Sequence, residues 1–264
     1  MNRQVGYMSQ MSICKFCGEK KEMIDSHIIP KCFYQLQKLG NVAVIKPSEN
    51  KIDRNPNFQN GFKEQIMCAE CDNEIGKLDR YANKILFRVL PEQEPLKKDL
   101  STVYTLKEHQ FSFHELRRFF ISLVWRVSVS SSPFSLGKYE KIALRILKKE
   151  IPDNEDLFLT IIYRKNTKTN LDYLTGIFPG KFLGKLYCCF RFPNYEIFVY
   201  TNTKNSENSE VMNFYRKMFN KEILIVAEIN SNTPLDYLLV NDITKCQKIE
   251  RKRFKKEKVK RDGP

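Results

Sequence analysis

Two cysteine pairs and one histidine are the residues of this chain best suited to chemistry. The pairs are Cys14/Cys17 and Cys68/Cys71, each with two intervening residues, and His27 follows Cys17 by ten positions. A Cys-x-x-Cys turn can aim two thiolates at one point, and two such turns supply a tetrahedral four-sulfur zinc site. That site has no open coordination position, so we predict a structural Zn²⁺ and a separate, reactive role for His27.

The elements that must position these residues are predicted from the apolar pattern. A helix is predicted directly after the second cysteine pair, because apolar residues recur there at helical spacing. These residues are Ile75, Leu78, Ala82, Ile85 and Leu86. The polar stretch 46–63 is predicted as an excursion between the two pairs, so residues 13–88 form one zinc-bearing module.

The rest of the chain predicts a second, α+β unit. Helices are predicted at 113–129, 138–149 and 210–219, and short β-branched and aromatic runs predict strands. These strands lie at 157–164, 171–178, 185–192, 195–201 and 222–229. We expect an antiparallel sheet, with a boundary at the proline-containing stretch 90–95. The predicted domains are therefore 1–90, 91–240 and a basic tail at 241–264.

Charge favours a polyanionic partner. The formal net charge is +14, and residues 245–261 hold ten Lys or Arg against two Glu, which is more than half of that charge. Such a tail can neutralise phosphates but carries no sequence specificity. Two alternatives stay open. The overall charge could reflect only the frequent lysines of a protein from an AT-rich genome, and the tail could be a solvated segment that only aids solubility. The predicted nucleic-acid contacts are Lys248, Arg251, Lys252, Arg253, Lys255 and Lys256.

Cysteine usage and hydropathy bear on location. Eight cysteines without a secretory signal favour a reducing compartment, so a cytoplasmic protein is expected. No stretch reaches the length of about 18 apolar residues that a membrane span needs, and no membrane partner is expected. The remaining cysteines lack metal-ligand spacing and are predicted to fill the core. They are Cys32, Cys188, Cys189 and Cys246.

The order of these motifs resembles the zinc-stapled members of the HNH endonuclease family. The matching segments are ICKFCGEKKEMIDSHIIPK and MCAECDNEIGKLD, within residues 14–88, about a third of the chain. The resemblance implies an N-terminal ββα-metal, treble-clef-like module. It also implies metal-dependent hydrolysis of phosphodiester bonds in nucleic acid, with DNA favoured over RNA. Such nucleases often act as dimers, and they commonly serve in restriction or antiphage defence.

The resemblance assigns roles to four residues beyond the cysteines. His27 matches the general base that takes a proton from the attacking water. Asp72, directly after the second pair, matches a ligand of a catalytic Mg²⁺ or Mn²⁺, with Asp25 or Asn73 assisting. A divalent ion there would clamp the scissile phosphate and stabilise the leaving oxygen.

Two positions depart from the family pattern and keep alternatives open. Ser26 stands where the family carries an acidic or histidine ligand, and Lys63 stands at the middle asparagine, with Asn60 nearby. One alternative is a catalytically inactive relative that binds nucleic acid or a partner protein through the zinc module. Another is a purely structural zinc module, in which His27 is a buried or capping histidine.

Overall fold

The structure is a computed structural model that describes most of the chain between residues 11 and 230. The described ranges are 11–34, 43–44, 62–98, 101–132, 134–154, 157–166, 174–182, 185–192, 194–202 and 209–230. The six predicted nucleic-acid contacts of the tail, together with Asn60 and Cys246, lie outside the described residues.

Eleven strands and five α-helices are described. The strands are β1 (Met11–Ile13), β2 (Lys20–His27), β3 (Ala43–Val44), β4 (Lys63–Cys68), β5 (Leu96–Lys98), β6 (Ser101–Lys107), β7 (Phe158–Asn166), β8 (Leu174–Phe182), β9 (Lys185–Arg191), β10 (Tyr195–Thr201) and β11 (Ile223–Asn230). The helices are α1 (Lys31–Tyr34), α2 (Ala69–Lys84), α3 (Phe113–Val129), α4 (Tyr139–Leu147) and α5 (Ser209–Met218). The molecule is therefore α+β, as the sequence predicts.

The strands form two sheets. A three-stranded antiparallel sheet has the order β1-β2-β4, and an eight-stranded sheet has the order β3-β8-β9-β10-β7-β11-β6-β5. The larger sheet is mixed and not purely antiparallel, because β11 pairs in parallel with β7 and β3 pairs in parallel with β8. Helix α5 lies between β10 and β11 in the chain and packs on β7 and β11.

Helix α3 lies at the centre of the described structure. It is apolar on nearly every side, a pattern typical of a helix buried on all faces. Its start is capped by Ser112, whose hydroxyl accepts a hydrogen bond from the Glu115 N–H at 3.3 Å. It packs against α2, α4 and the strands β7 and β10. It therefore connects the cysteine-bearing region to the large sheet.

The predicted boundary coincides with a change in backbone geometry. Helix α2 continues into a π-helical turn, Ile85–Val89, and then into a 3₁₀ turn, Leu90–Glu92, where Pro91 cannot continue an α-helix. Buried side chains from both sides of this point belong to one hydrophobic cluster. Cys188 and Cys189 are both fully buried, and their cross-strand partners place them on opposite faces of β9, so the predicted packing role is confirmed. None of the described helices has the length and apolarity needed to cross a membrane.

Candidate functional site

The four predicted zinc cysteines converge on one point. The sulfur atoms of Cys14, Cys17, Cys68 and Cys71 all lie within 4.8 Å of one another. A tetrahedral zinc with bonds of about 2.3 Å places its sulfur ligands about 3.8 Å apart. The cluster could therefore hold a metal ion such as zinc, and the predicted convergence of the two pairs is confirmed.

The first cysteine pair lies in a tight turn after β1. The Cys14 N–H donates to the Glu19 carbonyl, and the Gly18 N–H donates to the Cys14 carbonyl, both at 2.9 Å. Gly18 has a φ of +82°, in the left-handed region that favours glycine. The Lys15 N–H donates to the Ile66 carbonyl at 2.9 Å, which fixes this turn beside β4.

The second pair lies where β4 becomes α2. Cys68 is the last residue of β4 and the residue that precedes the helix, and its N–H donates to the Cys14 sulfur at 3.4 Å. Burial alone would raise the pKa of Cys14, but hydrogen bonds from backbone N–H groups of Cys17, Cys68 and Phe16 lower that pKa to about 7. Burial raises the pKa of Cys68 and of Cys71. A bound dication would stabilise all four as thiolates.

His27 is the last residue of β2. It is half-buried, and its Cα pairs with that of Lys63 at the start of β4. Its backbone carbonyl accepts a hydrogen bond from Nη1 of Arg126, at 3.2 Å. Arg126 is 2% exposed and forms a two-point ion pair with Asp79, with N–O distances of 2.8 and 3.0 Å. The histidine predicted as the base is thus attached through its backbone to a buried ion pair.

Asp79 was not singled out from the sequence, yet it is the ion-pair partner of Arg126. Burial raises the pKa of Asp79, the Arg126 guanidinium opposes that effect, and the charges of Asp72 and His27 also act on it. Asp79 follows Asp72 by seven residues, which is two helical turns and the same face of α2. The sequence did contain a signal for Asp79. It is an acidic residue on the same face of α2 as Asp72, next to the apolar face of that helix.

The other predicted catalytic residues differ in their exposure. Asp72 is half-buried in the first turn of α2, Asn73 is exposed, and Asp25 is exposed on β2. Ser26 is fully buried, and its hydroxyl has no hydrogen-bond partner among the described residues. The pairing of β2 with β4 is irregular between Ile24 and Ser26, so the usual alternation of side chains is interrupted at Asp25. After the irregularity Ser26 is buried and His27 is half-buried.

Among the residues that the structure describes, the four cysteines form the only cluster of potential ligands. No second group of three His, Cys, Asp or Glu side chains there has ligand atoms so close together. The predicted Mg²⁺ or Mn²⁺ ligands Asp25 and Asp72 therefore do not form such a cluster with His27. Their oxygen chemistry suits a hard cation, which proteins often bind through one or two carboxylates, water and substrate phosphate.

Comparison of this chain with protein-family models, with curated proteins and with solved structures found no match in any of the three. Any functional conclusion therefore depends on the site itself.

Proposed function

We propose that this protein is a metal-dependent, HNH-like endonuclease that hydrolyses phosphodiester bonds, with a structural Zn²⁺ in a treble-clef-like module. The observation that supports this most is the four-cysteine cluster. It joins the turn that precedes β2, which ends at His27, to the start of α2, where Asp72 lies. A metal-stapled frame that holds a histidine and a carboxylate on adjacent elements suits metal-assisted hydrolysis.

In this proposal His27 is the general base. His27 is half-buried at the end of β2, so part of the residue is accessible to solvent, and the proposal has its imidazole accept the proton of the attacking water. Asp72 would hold a Mg²⁺ or Mn²⁺ ion, with Asp25 or Asn73 contributing further oxygen donors. That ion would stabilise negative charge on the scissile phosphate and on the leaving oxygen.

The basic tail would supply phosphate contacts that are independent of sequence, and DNA is the proposed substrate ahead of RNA. One metal site cuts one strand, so we propose that a homodimer or a partner protein completes a double-strand cut. A cytoplasmic protein with a role in restriction or antiphage defence is consistent with such an activity. That role is an analogy with the family and is separate from the chemistry.

A second function is favoured by one specific observation. Ser26 stands where the family carries an acidic or histidine ligand, and its hydroxyl, which is a weak metal ligand, is buried in the core. The alternative is therefore an inactive relative that uses its zinc module and tail to bind nucleic acid or a partner protein.

The test is incubation of the zinc-loaded, full-length protein with supercoiled plasmid, with and without Mg²⁺ or Mn²⁺. Metal-dependent nicking or linearisation supports the endonuclease. Retained DNA binding with no cleavage under either metal supports the inactive relative.

A further inference from the structure

We propose that Arg126 and Asp79 are positioning residues for His27, and that this buried pair fixes the backbone from which the catalytic ring projects. The inference rests on the proposed function, because it concerns the base of that reaction. It assigns a role to α3, which belongs to the part of the chain beyond the zinc module.

The Arg126 guanidinium makes contacts through all three of its nitrogens. Nη1 donates to the His27 carbonyl at 3.2 Å and to Asp79 at 3.0 Å, and Nη2 donates to Asp79 at 2.8 Å. Nη2 also donates to the Ser122 hydroxyl at 3.2 Å, and Nε donates to the Ser122 carbonyl at 3.3 Å. One planar group therefore connects α3, α2 and the end of β2. A lysine ammonium lacks the rigid fork needed to hold these acceptors together.

The same peptide, between His27 and Ile28, is fixed at its N–H as well. The Ile28 N–H donates to the Phe62 carbonyl at 2.9 Å, and the Ile28 and Ile29 side chains are buried. The peptide after His27 is thus held at its carbonyl by Arg126 and at its N–H by Phe62. Because the carbonyl oxygen and the N–H of this peptide are both held, the backbone that carries the His27 side chain has a defined position. A general base needs this, because a displacement of about 1 Å can lower a rate by about 10²-fold.

The chain contains a matched control for this pair. Arg117 also lies on α3 and is 3% exposed, and it forms a two-point ion pair with Asp153. Its Nη1 donates to a backbone carbonyl, that of Phe158 in β7, at 2.8 Å. The two arginines share burial, partner chemistry and a carbonyl contact. Only Arg126 contacts the backbone of His27.

The experiment compares Arg126→Gln with Arg117→Gln in the full-length, zinc-loaded protein. Cleavage rate at saturating substrate (kcat), KM and zinc content are measured, with rates expressed per folded molecule. We expect Arg126→Gln to lower kcat by about 100-fold, with KM within about twofold of the unmodified protein, because binding does not depend on the placement of the base. Arg117→Gln should keep kcat within about threefold.

Two further variants keep the test decisive if Arg126→Gln does not fold. Arg126→Lys retains the positive charge beside Asp79, and Asp79→Asn retains the shape of the acceptor. Each should lower kcat more than Arg117→Gln does, without a matching change in KM. Equal kcat values in the Arg126, Asp79 and Arg117 variants would overturn the positioning role.

The outcomes also separate this inference from the proposed function. If the unmodified protein does not cleave, or if His27→Ala cleaves equally well, the proposed function fails and the positioning role fails with it. If His27→Ala is inactive while the Arg126 and Asp79 variants retain full kcat, only the positioning role is overturned.

Discussion

At the scale of single residues, Cys68 has three structural roles in the candidate metal site. It ends β4, it precedes the first turn of α2, and its N–H donates to the sulfur of Cys14. The two cysteine pairs are separated by 50 residues, so their meeting closes a long loop. Metal binding would stabilise that closure directly, since a structural zinc site contributes on the order of 10 kcal/mol to folding.

Replacement of one ligand should therefore remove the metal. We expect Cys68→Ser to lower the zinc content from about one ion per chain to well below that value, and to lower the thermal midpoint. The matched control is Cys32→Ser, since Cys32 is half-buried on α1 and outside the cluster. Elemental analysis of both purified variants checks this. Equal zinc contents in the two variants would exclude the four-cysteine site.

The residues that could be predicted from sequence are those whose partners are close along the chain. Each cysteine pair is such a case, because two residues of spacing already direct both thiols to one point. Asp79 could not be found in this way, because its partner Arg126 lies 47 residues later on another helix. Position alone marked Ser26 as a departure from the family, but only the structure shows that it is buried.

At the scale of secondary structure, α3 contacts the cysteine-bearing region at three neighbouring places. Trp125 packs edge-to-face against Phe16, which lies between the first two cysteines, with ring centroids 5.6 Å apart. Arg126 reaches α2 and β2, and the Ser131 N–H just after the helix donates to the Glu64 carboxylate in β4 at 2.8 and 3.0 Å. The conformation of the first Cys-x-x-Cys turn (the first knuckle, Cys14–Cys17) is thus coupled to the end of α3.

Metal removal should consequently be visible in tryptophan fluorescence. Trp125 is the only tryptophan of the chain and is 1% exposed. Chelation of the zinc should loosen the knuckle and shift the emission to longer wavelength as water reaches the ring. Emission spectra recorded during titration with a chelator check this. Complete zinc loss with an unchanged spectrum would contradict the coupling between α3 and the knuckle.

Four of the five α-helices and five of the eleven described strands could be predicted from their periodicity. The predicted bounds of α3 match the observed Phe113–Val129, and α2, α4, α5 and the strands β7 to β11 also appear where the pattern placed them. Strands β1, β3, β4, β5 and β6 were not predicted from the pattern. In β5 and β6 polar residues interrupt the apolar ones, so neither strand shows a clear apolar run. The parallel pairing of β11 with β7 could not be predicted, because a strand's own pattern does not specify its partner.

At the scale of the whole molecule, the hydrophobic core and most of the net positive charge lie in different parts of the chain. The described residues form one main hydrophobic cluster that extends from Cys14 to Val226. More than half of the net charge lies in residues 245–261, outside the described structure. The packed part is therefore expected to carry the chemistry and any specificity, and the tail is expected to contribute affinity.

Deletion of residues 245–264 should weaken binding to every nucleic-acid sequence to a similar degree. It should also reduce the slope of log affinity against log salt, because fewer counterions are released. Binding isotherms at several salt concentrations, on two unrelated duplexes, measure both effects. A truncated protein with an unchanged salt slope would show that the tail does not contact phosphates.

The central claim is that His27 is the base of a metal-dependent cleavage reaction, and the most direct test is the cleavage rate of His27→Ala. The chain has three histidines, and His114 is exposed at the start of α3, so His114→Ala is the matched control. We predict that His27→Ala lowers the Mg²⁺- or Mn²⁺-dependent rate by about 10²–10⁴-fold while zinc content and fold persist. His114→Ala should cleave at the unmodified rate. Equal rates in His27→Ala and the unmodified protein, or no metal-dependent cleavage by either, would contradict the claim.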